Sequence, residues 1–284
     1  MEDNMPGTVG RRDLMTIFNA ARFTLIHYAR GYFPVHRTEL VHMPVNRLFF
    51  PLENPGGEAN FIEDTFRRYP LIPGNLYFIP AYLPARFALD GQLLFLSVQC
   101  RLELFPGVEL FSDCPRMLEL PAPPEGLEML RLFDSEKTDA CRAAVRAGSL
   151  AYSMLTGLLD RYAPEDFWKP LSLRKYDLLT DYLKENGNAR TSVAELAAVR
   201  HESREGFTRH FTEYTGITPK QLIDRFVMSR CLTLIVSGYS FKEIAEKLQF
   251  RDEFAFSRYF KRNAGVSPRK WRDQRAVGGV VPRP

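Results

Sequence analysis

The sequence contains no His-x-His pair, no Cys-x-x-Cys pair and no uncharged apolar run of about 18 residues, and each absence removes a class of protein. A metal-dependent β-barrel enzyme of the His-x-His type needs those two histidines and a glutamate converging on one ion. His27, His36 and His42, with Glu39 between the last two, stand isolated and read as surface or core residues. No catalytic residue, metal or cofactor is expected, and the chain is not expected to be an enzyme. The four cysteines, Cys100, Cys114, Cys141 and Cys231, are scattered as reduced thiols would be, forming neither a disulfide frame nor a zinc site. Met1 to Arg12 lacks the apolar core of a signal peptide, so neither membrane nor export is expected, and the expected location is cytoplasmic.

What is present is unevenly distributed. The 284 residues are enough for two domains, and 45% hydrophobic content fills two ordinary cores. Residues 171–275 carry 20 Lys and Arg against 13 Asp and Glu, a net +7, whereas residues 1–170 carry 17 against 21, a net −4. A basic C-terminal part joined to an acidic N-terminal one fits binding of nucleic acid by one end.

That basic part contains one pattern written twice. The first copy runs Ser192-Val193-Ala194-Glu195-Leu196-Ala197, Ser203, Phe207, Arg209, Phe211, Gly216-Ile217-Thr218-Pro219. The second runs Ser240-Phe241-Lys242-Glu243-Ile244-Ala245, Asp252, Phe256, Arg258, Phe260, Gly265-Val266-Ser267-Pro268. Ser192 and Ser240 each precede a glutamate by three residues, the capping box that starts a helix. Ser203 and Asp252 are cap types for a second helix, whose buried face is a phenylalanine pair at i, i+4. Ala197 and Ala245 are small enough for two helices to meet at a turn. Gly216 and Gly265 end the second helices, and Thr218-Pro219 and Ser267-Pro268 start the next ones. Lys220 to Ser237 has no breaker and reads as one long helix holding two helix-turn-helix units at fixed separation.

These residues resemble the C-terminal domain of AraC/XylS-family transcriptional regulators. The likeness rests on Ser240, Ile244-Ala245, Gln249-Phe250, Phe256, Arg258, Phe260-Lys261, Gly265-Val266-Ser267-Pro268 and Trp271-Arg272, and spans Leu171 to Arg275. Two departures stand out. Gln249 occupies the family's glycine position, and Arg200-His201-Glu202 replaces an apolar-Gly-apolar turn.

Helix residues outside the buried faces are free to meet base edges. In the first unit these are Arg204, Glu205, Thr208, Arg209 and Thr212; in the second, Arg251, Glu253, Phe254, Ala255, Ser257, Arg258 and Lys261. The resemblance implies base contacts at Glu205, Thr208 and Arg209, and at Glu253, Phe254, Ala255 and Arg258. Arginine can bridge guanine O6 and N7, glutamate can accept from cytosine N4, and Phe254 or Ala255 can meet a thymine methyl. The alternative for Arg209 and Arg258 is an ion pair within the domain. Phosphates are expected at the helix starts of Ser192 and Ser240, aided by Lys242, Arg262, Arg269 and Lys270. Two recognition helices on one rigid helix should occupy successive major grooves, about 34 Å apart.

The N-terminal part has a β texture, with candidate strands at 23–27, 47–52, 59–62, 75–79, 86–89, 92–99 and 101–105, separated by turn signals such as Asp90-Gly91. Such a series builds a sandwich or small barrel. The run Pro73-Gly74-Asn75-Leu76-Tyr77-Phe78-Ile79-Pro80 with Pro84-Ala85-Arg86-Phe87 looks like part of a cupin-barrel motif, with Ala85 where that motif carries a metal-binding histidine. The expected fold is a multidomain α+β chain: a cupin-like effector-sensing β-barrel over 1–122, helical linker and dimerisation region over 123–170, all-α double helix-turn-helix domain over 171–275, and flexible tail over 276–284. Within this frame, Met1 to Thr16 is a lead-in, Lys137 to Tyr162 a helix, and Leu171 to Glu185 the first helix of the DNA-binding part. The resemblance implies a regulator that binds double-stranded promoter DNA, responds to a small-molecule effector such as a sugar, dimerises, and meets RNA polymerase if it activates. The alternatives are a metal-dependent cupin enzyme with a DNA-binding tail and a barrel serving as a ligand-free protein-interaction module.

Overall fold

The computed structural model describes residues 21–32, 36–105, 107–134, 139–167 and 173–276. The expected lead-in at Met1 to Thr16, most of the expected tail, and the junction at Trp168 to Pro170 lie outside the described residues. The chain divides into two compact units. Among the described residues, one comprises 23–101, 114–162 and 269–276; the other comprises 21–22, 102–113 and 163–268.

Two antiparallel sheets hold the strands, which fall in the β-rich unit except for Arg22 and the 102–113 segment. The strands are β1 (Arg22–Tyr32), β2 (His36–Arg37), β3 (Val41–His42), β4 (Asn46–Glu53), β5 (Phe61–Glu63), β6 (Arg68–Pro70), β7 (Asn75–Ile79), β8 (Pro84–Leu89), β9 (Leu94–Phe105), β10 (Val108–Glu109) and β11 (Leu118–Pro121). One sheet has the order β1-β9-β4-β7-β11, with β10 on β9; the other has β2-β8-β5-β6, with β3 on β8. In these pairings neither sheet closes on itself. Because side chains alternate between faces, Phe49, Tyr77, Ile79 and Phe95 of the first sheet share a core with Ile62, Tyr69, Ala85, Phe87 and Leu89 of the second. Phe49 stacks on Phe95 at 5.0 Å and tilts against Phe87 at 6.4 Å. Buried polar groups are bonded where the chain turns. Asn46 accepts from the Ala81 amide at 2.9 Å, and Asn60 accepts from the Asp90 amide at 2.6 Å. Asp64 holds the Phe66, Arg67 and Met117 amides and the Tyr69 hydroxyl. Burial and the adjoining Glu119 carboxylate push the Tyr77 phenol up to about 12.

Several expectations are corrected here. The stretches read as separate strands on either side of Cys100 form the single strand β9, since no breaker intervenes. Ala59 belongs to a short 3-10 turn (Gly57–Ala59) ahead of β5. The prolines of 121–124, read only as a boundary, start a helix, α1 (Pro124–Asp134), because proline at the first helical position loses no needed hydrogen bond. The following helix, α2 (Ala140–Leu158), is capped by Asp139, which accepts from the Arg142 amide at 2.9 Å, and ends in a 3-10 turn.

The second unit is helical: α3 (Asp177–Asn186), α4 (Val193–Val199), α5 (Arg204–Thr215), α6 (Pro219–Val236), α7 (Phe241–Lys247) and α8 (Glu253–Ala264). The next helix, α9 (Pro268–Ala276), has Trp271 buried and falls, from Arg269 on, in the β-rich unit. The expected first helix at 171–185 begins with a 3-10 turn at Leu173–Tyr176. α6 is buried nearly all round, through Leu222, Ile223, Phe226, Val227, Met228, Cys231, Leu232 and Ile235, because α4 and α5 lie against it on one side and α7 and α8 on another. The buried Cys231 thiol is correspondingly pushed up.

The segment 102–113 also belongs to this unit. Its hairpin docks on α6: Glu103 accepts from the Ser229 hydroxyl at 3.2 Å and from the Gly107 amide at 2.7 Å, and Arg225 donates to Ser112 at 3.2 Å. Gly107 has φ +81, and a Cβ there would lie 2.5 Å from the Phe226 Cα. We therefore expect Gly107→Ala to cost about 2–4 kcal/mol, from the left-handed backbone plus overpacking against a helix backbone. Urea denaturation of the full chain measures it, and an unchanged midpoint would contradict the docking.

Candidate nucleic-acid interface

Each half of the helical unit repeats the same local solution. Ser192 accepts from the Glu195 amide, Ser203 from Gly206, Ser240 from Glu243 and Asp252 from Ala255, so the caps expected for α4, α5, α7 and α8 form. The two glutamates differ. Glu243 takes both the Ser240 amide at 2.8 Å and its hydroxyl at 2.7 Å, completing a capping box, whereas Glu195 meets the Ser192 hydroxyl at 3.1 Å. A second complete box joins Thr218 and Gln221 at the start of α6. Gly216 and Gly265 adopt left-handed φ of 72° and 74°. Phe207, Phe211, Phe256 and Phe260 are fully buried, as are Leu196 and Ile244 at the paired positions of the first helices.

The turns inside the two units are also alike, despite the departures in sequence. His201 and Gln249 have φ of 55° and 56°. The Glu202 amide bonds to the Ala197 carbonyl at 3.0 Å, and the Phe250 amide to Ala245 at 2.9 Å, the six-residue closure of a Schellman ending. Both positions thus adopt the conformation that glycine favours. Around the first turn, Glu202 takes Arg200 at 3.4 Å and His210 at 3.5 Å, and Arg200 covers Tyr176. Around the second, Phe250 packs on Phe256 and Tyr259. An ionic cluster therefore closes one turn and an aromatic cluster the other.

One link between the halves had no signal in the sequence. Arg190, in the loop before α4, donates to the Gln249 carbonyl at 3.2 Å, and the Ala189 amide bonds to Leu248 at 2.9 Å. These partners lie 59 residues apart in sequence, and nothing in local spacing marks them.

The residues singled out for bases lie on exposed or half-buried surface of α5 and α8. Arg204, Glu205 and Arg209 are exposed on α5, as are Glu253, Phe254, Arg258 and Lys261 on α8; Thr208, Thr212, Ala255 and Ser257 are half-buried. The Thr208 and Thr212 hydroxyls donate to backbone carbonyls one turn back, which leaves their oxygens as acceptors. The two arginines of the repeat differ: Arg209 approaches His210 at 3.4 Å, while Arg258 has no ion-pair partner among the described residues. Phe254 is 75% exposed, unusual for an aromatic side chain on a helix. Arg251 stands 3.8 Å from Asp252. Of the residues expected at phosphates, Lys242, Arg262, Arg269 and Lys270 are exposed, with Arg262 over Tyr259 and Arg269 3.9 Å from Asp273. The Ser240 amide and hydroxyl are engaged by Glu243, so the amides left without intrahelical partners at that end are those that follow Ser240.

A helical unit with two helix-turn-helix elements on a shared central helix defines a nucleic-acid-binding class of domain. Residues 196–274 match the protein family described as "Helix-turn-helix domain". The chain is 30% identical over 131 residues to the raffinose operon transcriptional regulatory protein RafR of Pediococcus pentosaceus, covering 45% of this chain and 47% of that protein. It is 28% identical over 108 residues to the transcriptional regulatory protein HptR of Staphylococcus aureus, covering 36% and 43%. The matched stretch thus spans less than half the length of either relative. Among solved structures, ToxT of Vibrio cholerae strain SCE256, determined with an unsaturated fatty acid bound, shares the fold over 92% of this chain and 98% of its own, with a TM-score of 0.56 at 12% identity. Residues 196–274 are thus similar to a helix-turn-helix domain, and the C-terminal part of the chain is similar to part of a transcriptional regulatory protein.

Two outcomes follow for this domain. The Ser240 hydroxyl and amide hold the Glu243 carboxyl below its usual value. A depressed carboxyl contributes stability that is complete above the unfolded value of 4.5 and is lost as pH falls through the lower folded value. Denaturation midpoints between pH 6 and 3 should therefore fall less steeply in Glu243→Gln than in the parent. An identical slope would contradict the capping box. Gln249→Gly should raise the midpoint by about 0.5–1 kcal/mol, since relief of the left-handed strain is partly offset by a more flexible unfolded chain. A loss of stability would show that the Gln249 side chain holds the turn.

Proposed function

We propose that the protein is a sequence-specific transcriptional regulator that binds double-stranded DNA through α5 and α8 and answers to a small-molecule effector held by its β-rich part. The observation that carries this is Arg258, an exposed guanidinium with no ion-pair partner among the described residues, on the helix whose counterpart carries Arg209 at the same place. On this reading Arg204, Glu205, Thr208, Arg209 and Thr212 face one major groove. Arg251, Glu253, Phe254, Ala255, Arg258 and Lys261 face the next, and Ser192, Ser240, Lys242, Arg262, Arg269 and Lys270 contact phosphates. RafR and HptR, both named as transcriptional regulatory proteins, support the DNA-binding role.

The N-terminal part, read as cupin-like, would be the sensor, and ToxT with its bound fatty acid supports a small-molecule role for that fold. The helices α1 and α2 would join two copies of the chain; exposed Leu127, Val145 and Tyr152 supply apolar surface for that contact. The effector would act by its different affinity for two arrangements of the protein. An activating regulator would also meet RNA polymerase. The basic balance of 171–275 and the absence of a helix long and apolar enough to cross a membrane, among the described residues, accord with this reading.

The test begins with the full chain and randomly sheared genomic DNA. Fragments retained at moderate salt are sequenced, and the common site is titrated in gel shifts. Arg258→Ala should cost about 1–3 kcal/mol and relax preference at one base pair, with a smaller loss for Arg209→Ala. Equal weakening across a base-substituted set would make Arg258 a phosphate contact, and no enriched sequence would refute specific binding.

A further inference from the structure

The β-rich unit buries an arginine where an apolar side chain would be expected. Arg47 lies on β4 two residues before Phe49, so the two share a face, and Phe49 belongs to the core between the sheets. Its cross-strand neighbours are Ile79 on β7 and Gln99 on β9. The guanidinium rests 4.6 Å from the centre of the Phe87 ring, and Nη2 reaches the Met43 sulfur at 3.2 Å. Nε is sealed from solvent without a hydrogen-bond partner, and no carboxylate pairs with the group among the described residues. Residue 47 as a whole is half-buried, with Nε among its sealed atoms. Burial alone lowers its pKa to about 10, with no neighbouring charge contributing.

A second unsatisfied group lies beside it. Ser97 pairs with Phe49 across β4 and β9, on the same interior face, and its buried Oγ also has no partner. Arg101 stands two residues beyond Gln99 on that face of β9. A desolvated cation with no partner is costly, and proteins seldom keep one without a counter-ion. The cationic fork matches the two oxygens of a carboxylate. Ala85, small and in the same core, lies on β8 two residues before Phe87.

We propose that Arg47 anchors the oxyanion of a small organic acid inside the β-rich unit, with Ser97 as a second hydrogen-bonding group and the Phe87 ring against the acid's apolar body. That such an acid is the effector rests on the regulator reading; that it binds does not. The aromatic wall and a guanidinium with no carboxylate beside it among the described residues favour a monoanionic carboxylate bearing a ring.

The full chain is titrated calorimetrically, without DNA, with benzoate, 3-phenylpropionate and phenyl phosphate, and with benzyl alcohol as the uncharged comparison. Saturable binding of an anion at least tenfold tighter than the alcohol is expected, and the order of carboxylates against phenyl phosphate identifies the oxyanion. Arg47→Met should abolish that binding while leaving the unliganded protein as stable or more stable, as expected when an unpaired buried charge is replaced by an apolar side chain of similar length. Arg47→Lys should bind the same anion at least tenfold more weakly. No saturable binding by any of the three anions, equal binding of benzyl alcohol, or a destabilised Arg47→Met that still binds each overturns the proposal. If Arg47→Met does not fold, Arg47→Lys decides: undiminished affinity overturns it. A gel shift with and without the bound acid then reads the regulator hypothesis separately.

Discussion

The burial of α6 on nearly every side is the constraint on which the helical unit depends. A helix with that much apolar surface cannot stand alone in water; it is stable because α4, α5, α7, α8 and the 102–113 hairpin enclose it. The enclosure fixes the two helix-turn-helix elements to one rod of 18 residues, about 27 Å long at 1.5 Å per residue. It also leaves the outer faces of α5 and α8 to side chains such as Arg209, Phe254 and Arg258 that no core requires. Fixed separation and free outer faces are the two properties needed to read two grooves at once.

Much of this unit was legible in the sequence because its determinants are local. Serine caps, the i, i+4 phenylalanines, the left-handed glycines and the proline at the start of α6 each act within a few residues, and each appears where the repeat places it. The turns show the limit of such reasoning. His201 and Gln249 depart from glycine, yet both take positive φ, because the Schellman hydrogen bonds and the clusters around Glu202 and Phe250 hold the backbone there. The Arg190 bridge to Gln249 and the docking of Glu103 on Ser229 depend on partners far apart in the chain, and no periodicity announces them.

In the β-rich unit the determinants are mostly nonlocal, and fewer details were legible. Strands of two to four residues, such as β2, β3, β10 and β11, are too short to show an alternation. β4 is apolar on both faces, with Leu48 and Phe50 on one and Phe49 on the other, so the pattern could not say which way Arg47 points. Its interior position emerges only from the pairing of β4 with β7 and β9 and from the shared core with β8. The sheet that buries Arg47 is thus the feature most open to a chemical role, and the one the sequence concealed most fully.

The account's central claim is that two recognition helices held by α6 grip DNA at one fixed spacing. It is tested most directly by inserting five base pairs, half a helical turn, between the two protected segments of the selected duplex and measuring the affinity of the full chain. The account predicts that binding falls to the level of a duplex carrying one segment alone, because the second helix then faces the wrong side of the DNA. Unchanged affinity would show that the two helices do not act as one rigid reader.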